Sequence, residues 1–122
     1  MNILSELTGL LTKFGVPFET GTFKKKAPDE YIVIIPLADR FELFADNLPQ
    51  TEVQEARLSL YSKGNFLRLR NRLGRVLLES DFTVTDRRYI GYEDETQYHH
   101  YAIEVAKEYE AQIENQNEQE DD

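Results

Sequence analysis

Cysteine is absent from this chain of 122 residues, which removes a disulfide framework, a thiolate nucleophile and every cysteine-based metal site. Histidine is scarce, and the only two, His99 and His100, are adjacent. Neighbouring strand residues point to opposite faces, so this pair does not converge on one metal, and most zinc schemes fail with it. One of the two is expected half-buried and the other on the surface. No apolar run approaches the roughly 20 residues that a membrane span needs. The opening segment MNILSELTGLL carries Glu6 where a signal peptide wants positive charge. A soluble intracellular domain is expected. No glycine cluster resembles a phosphate loop, and Ser5, Ser59, Ser62 and Ser80 sit in no G-x-S-x-G elbow. The carboxylates Glu93, Asp94 and Glu95 fall in a turn, where they are solvated. Neither catalysis, a cofactor nor a metal is expected.

What the chain does have is acid, with 14 basic and 23 acidic residues giving a net charge of −9. The segment from Glu110 to Asp122 holds six acids and no base, so it carries −6 and leaves −3 for the rest. Its one large apolar residue, Ile113, cannot offset the entropy of ordering it. The expectation is a single domain over residues 1–110 and an acidic, disordered tail over 111–122.

Ile3, Leu4, Leu7, Leu10, Leu11 and Phe14 form a stripe of helical period, with Asn2 to cap it and Gly15 and Pro17 to stop it. VPFETGTF reads as a weak extended segment, and KKKAPDE as a loop. YIVIIPL (31–37) is a buried strand that Pro36 ends or moves to an edge. RFELFAD (40–46) alternates Phe41, Leu43 and Ala45 against Glu42 and Phe44, with Leu37–Asp39 as a link and Asn47–Pro49 as a turn. Val53–Tyr61 turns Ala56, Leu58 and Leu60 inward, which completes a three-stranded meander.

A second helix is expected over 66–79, its core face built from Phe66, Leu69, Leu73, Val76 and Leu77. Phe82, Val84 and Tyr89–Tyr92 suggest a strand, and Tyr98–Tyr109 the longest strand of the chain. The order is α-β-β-β-β-α-β-β, the first strand being weak. The fold class is α+β: an antiparallel or mixed sheet of about four to six strands with two helices on one face.

Two features suit contact with another molecule. Arg68, Arg72 and Arg75 share one helix face, with Arg70 nearby, a basic stripe in an acidic protein. A solvated face with ordinary ion pairs, a protein contact and a nucleic-acid site are all readings of it. Arginine is favoured at protein interfaces for its planar fork, whereas nucleic-acid binding normally comes with a basic domain. Five of the seven tyrosines (Tyr89, Tyr92, Tyr98, Tyr101 and Tyr109) fall in the C-terminal hairpin beside Arg87 and Arg88. Tyrosine and arginine supply interface hot spots, but cross-strand aromatic pairing accounts for the tyrosines equally well. The candidate interface residues are therefore Arg68, Arg72, Arg75, Arg87, Arg88, Tyr89 and Tyr92.

The segments ADRFELFADNLPQTEVQEA (38–56), RLSLYSKGNFLRLRNRL (57–73) and SDFTVTDRRYIGYEDETQYHHYAIEVAKEYE (80–110) resemble small structural proteins from the tail-morphogenesis region of siphophages and prophages of Gram-positive bacteria. The order of elements is similar to the lambda-type tail terminator, or tail completion, fold. That resemblance implies a hexameric ring at the head-proximal end of the tail tube, which stops tube growth and presents a surface to the head. The implied partners are further copies of the chain, the major tail tube protein and a head-completion or connector protein. The implied location is the host cytoplasm during assembly and then the head–tail junction of the virion. Neither a membrane nor a specific nucleic acid is implied. A head–tail connector or stopper of the same assembly is the alternative, and a small nucleic-acid-associated module a more distant one.

Overall fold

Asn2 fixes where the first helix begins. In the computed structural model, which describes residues 2–24, 26–45 and 47–111, its side chain accepts the Ser5 amide at 2.8 Å. The Ser5 hydroxyl closes the reciprocal capping box. Helix α1 (Ile3–Phe14) ends at Gly15, which takes the left-handed φ of 92° that favours glycine. The weak extended segment is a short strand, β1 (Phe18–Thr20), running parallel to Ile32–Ile34. This parallel pair makes the sheet mixed.

The expected meander is a hairpin. YIVIIPL and RFELFAD form one strand of 16 residues, β2 (Glu30–Ala45), and it pairs with a single antiparallel strand, β3 (Leu48–Ser62). The expected link at Leu37–Asp39 is a bulge, because the register passes from Pro36↔Ala56 directly to Ala38↔Glu55. Edge strands and bulges are where a missing proline N–H is tolerated, so Pro36 bends the strand without ending it. The expected turn at Asn47–Pro49 is also shorter. Asn47 supplies a φ of 61°, and Leu48 and Pro49 already pair with Ala45 and Phe44.

Helix α2 (Phe66–Glu79) starts where Asn65 caps the Arg68 amide. It buries Leu69, Leu73 and Leu77 as the apolar spacing requires. Phe66 and Val76, expected in the core, are only half-buried: Val76 lies on the flank of that face toward α1, and Phe66 packs beside the core on Tyr89 and His99. Strands β4 (Thr83–Glu93) and β5 (Tyr98–Glu110) form the C-terminal hairpin. At 13 residues β5 is shorter than β2 and β3, so the longest strands are those of the first hairpin.

The five strands lie in the order β1-β2-β3-β5-β4, and both helices pack on one face, as the α+β reading requires. The core joins Ile3, Leu7 and Leu11 of α1 and Leu69, Leu73 and Leu77 of α2 to Ile32, Ile34, Leu58, Leu60, Ile103 and Val105 of the sheet. On the other face a cross-strand row, Tyr31↔Tyr61↔His100, stacks at centroid distances of 4.7 and 4.3 Å. Beside it, Arg57 donates to the Glu104 carboxylate at 2.6 and 3.1 Å. The tail expected from 111 onward falls, beyond Ala111, outside the described residues; the Ala111 amide still donates to the Gln50 carbonyl at 3.0 Å.

Candidate interaction surface

The arginines of α2 divide between two neighbours. Arg68, Arg72 and Arg75 are exposed, as expected of the face opposite Leu69 and Leu73. Arg72 leans toward α1, with its guanidinium 4.7 Å from the centre of the Phe14 ring. Arg75 reaches Glu79, one turn on, at 3.7 Å. Such exposed pairs contribute little to stability, so these cations remain available to a partner.

The hairpin residues do not form one patch. Arg87 pairs across β5 with Ile103, and Arg88 with Ala102. Ile103 belongs to the helix-facing core, so Arg87 lies on the helix side of β4 and Arg88 on the far side, where it donates to Asp86 at 2.6 Å. That hydrogen bond and charge raise the guanidinium pKa of Arg88 further. Tyr89 and Tyr92 lie with Arg87. The Tyr89 hydroxyl meets His99 Nδ1 at 2.9 Å, Tyr92 packs on the His99 ring at 4.8 Å, and Phe66 of α2 packs on the same ring. Cross-strand aromatic pairing is therefore part of what the tyrosines do, yet Tyr89 and Tyr92 still expose nearly half of their surface, 46% and 49%.

Arg75 and Arg87 come together across a groove of about 730 Å³ between α2 and β4, lined also by Asn71, Gly74, Leu78, Val84 and Glu79, the last already paired with Arg75. Leu78 is 62% exposed on its rim. Glycine at 74 leaves the helix side of this groove open, since a Cβ there would meet nothing.

A second surface was not expected from the sequence. At the far edge of the sheet, β2 beyond Ile34 and the facing part of β3 form an arm that leaves Leu37, Phe41, Phe44 and Leu48 exposed, Phe44 at 65%. The start of helix α1 meets the sheet at Gln54, whose side-chain oxygen accepts the Ile3 amide at 2.7 Å, and the neighbouring Glu52 is still buried. Among the described residues no helix lies over the rest of the arm, so strand alternation no longer separates inside from outside. The signal was Phe44, a large aromatic in the phase of Arg40 and Glu42.

The histidines point to opposite faces, as expected, but both are half-buried. His99 sits in the Phe66–Tyr92 cluster and His100 against Tyr61. Burial pushes the Tyr31 phenol up to about 12, with Tyr61, Tyr98 and Glu93 acting in the same direction. Burial, then the Arg57 charge, hold His100 below the ordinary histidine value. The unfolded chain therefore binds the extra proton first, and stability falls as pH drops from about 6.5 toward the folded value. His100→Phe keeps a ring against Tyr61 without a proton to take up. It is expected to flatten the change of the urea midpoint between neutral pH and about pH 5. An unchanged slope would assign that dependence to other groups.

Among the described residues there is no cluster of three or more His, Asp or Glu side chains able to hold a metal, and no helix is long and apolar enough to cross a membrane. The chain matches no protein-family model and no curated protein.

Proposed function

We propose that this chain is a phage assembly protein, a tail terminator whose copies form a hexameric ring that caps the tail tube and joins it to the head. One observation carries the reading: two unlike exposed surfaces lie at opposite edges of one sheet, the basic α2–β4 groove and the apolar β2–β3 arm. A cyclic ring uses two different patches on each subunit, and this chain has both. The resemblance of residues 38–110 to tail-morphogenesis proteins supplies the assembly. The partners are then further copies of the chain, the tail tube protein and a head-completion protein, and the place of action is the head–tail junction of the virion. No catalytic step is assigned. The head–tail stopper is the neighbouring role that these surfaces would also serve.

The direct test is mass measurement of the protein alone and with purified tail tubes, together with electron microscopy of phage lacking it. A ring at the tube end and overlong, unjoined tails support the terminator; tails of normal length without heads would assign the stopper role. Within this reading the outer face of α2 contacts a partner. Arg72→Glu with Arg75→Glu is expected to leave the monomer folded, because exposed substitutions cost little. The lost contact is expected to cost roughly 2–5 kcal/mol at each junction. Normal virions from this double variant would show that the helix faces solvent only, whereas binding that weakens steeply with salt would point instead to phosphate contacts.

A further inference from the structure

We propose that the ring junction is a strand-to-strand contact, in which the free outer edge of the β2 arm of one copy lies against the free edge of β4 in the next. The proposal rests on the ring reading for its occupant, a second copy of this chain. Its geometry comes from the sheet. β1 covers β2 only at Ile32–Ile34, so among the described residues β2 from Ile35 to Ala45 is paired on one side only. β4 closes the other end of the sheet, paired with β5 alone.

The strand directions allow the two edges to meet. β2 is antiparallel to β3, β3 to β5, and β5 to β4, so β4 runs opposite to β2. A neighbouring copy that continues the sheet in the same orientation sets its β2 antiparallel to this β4, the commoner pairing. Such an addition supplies main-chain hydrogen bonds, and side chains on each face supply the specificity.

A continuous sheet keeps its faces, and the charges then match on both. Asp39 and Phe41 pair with Gln54 and Glu52 of β3. Gln54 holds the first amide of α1, so all four lie on the helix side of the sheet. Arg87 and the α2–β4 groove occupy that same side of β4. Phe41, half exposed in the free chain, enters the groove against Leu78 and Val84, and Asp39 approaches Arg87 and Arg75. On the far face the same register sets Arg40 against Asp86. Both edges also carry charges and bulges, the usual guards against indiscriminate strand addition, so only a partner of matching charge pairs there.

The head-to-tail nature of the contact gives it a distinctive test. Phe41→Glu disables the arm and leaves the groove intact; Leu78→Glu with Arg87→Glu disables the groove and leaves the arm intact. All three positions are exposed, and circular dichroism checks that both proteins are folded. In sedimentation velocity over a concentration series, wild type is expected to associate into a closed ring and each variant alone to stay monomeric. Their equimolar mixture is expected to form a heterodimer and nothing larger, because one intact arm meets one intact groove. Asp39→Arg combined with Arg87→Asp in one chain is expected to restore association that each change alone abolishes. Variants that assemble like wild type, or a mixture that stays monomeric, would overturn the arm-in-groove junction. Wild type that remains monomeric at millimolar concentration would overturn it as well, whereas tail length in phage lacking the protein judges the capping role separately.

Discussion

Leu73→Ala is expected to destabilise the protein by about 2–5 kcal/mol, the range for removing a fully buried leucine. The side chain is 0% exposed, midway between Leu69 and Leu77 on the core face of α2. Its loss empties space between a helix and a sheet, neither of which can collapse far, so a cavity term adds to the lost transfer energy. Against a total stability of about 5–15 kcal/mol, typical for single domains, this is a large fraction. Urea denaturation of wild type and variant measures it directly, with an unchanged slope confirming that both unfold alike. A cost below about 1 kcal/mol, the level of surface changes, would mean that α2 reseats on the sheet, and the arginines on its outer face would then move too.

That position was legible because helix periodicity is local. Leu69, Leu73 and Leu77 recur at fixed spacing, and Asn65 marks the start of the helix within one turn. The same reasoning located α1, whose cap and stop, Asn2 and Gly15, take the expected roles. Strand alternation carried less far. It identifies which residues share a face, but not whether anything covers that face. Phe41 keeps the inward phase of the alternation and Phe44 falls on the opposite face, yet both are exposed. The bulge at Leu37 was equally hidden. Leu-Ala-Asp has the composition of a short link, and only the pairing with Ala56 and Glu55 keeps the strand running through it.

The seven candidate residues are all exposed, but their arrangement was not legible in the sequence. Arg87 and Arg88 are neighbours in sequence, yet the strand sends them to opposite faces, as period two requires. Arg75 and Arg87, 12 positions apart, are the two that share a groove. The tyrosines proved to be both packed and exposed, because Tyr89 and Tyr92 each spend one side of the ring on His99 or Phe66. No local pattern reports a contact that depends on how a helix docks beside an edge strand.

Lys107 is the clearest case of such a contact, and its removal is expected to have the other large effect. It is a lone cation between Ala106 and Glu108 with no sequence signature. Folding places its ammonium 2.8 Å from a Glu6 oxygen of α1 and 3.2 Å from the Ser80 carbonyl at the end of α2. The Phe82 ring lies 4.8 Å away. One side chain thus ties both helices to β5, and a cation beside the last carbonyls of α2 also suits the helix dipole. The two charges are mostly covered, with 23% and 20% of the side-chain surface exposed. Removing one partner of a fully buried pair costs about 3–5 kcal/mol, because the other charge is stranded. Water still reaches this pair and screens it, so Lys107→Ala is expected to cost about 2 kcal/mol. Glu6 would be left beside the Tyr109 phenol, whose pKa burial and that carboxylate already raise. A double-mutant cycle separates the contact from the packing of the lysine stem. Lys107→Met and Glu6→Gln are each expected to destabilise, and the double variant to recover about 1 kcal/mol of their sum. A coupling near zero would show that Lys107 acts through its aliphatic stem on Phe82 alone, and that the helices are held to the sheet by the leucine core without this tie.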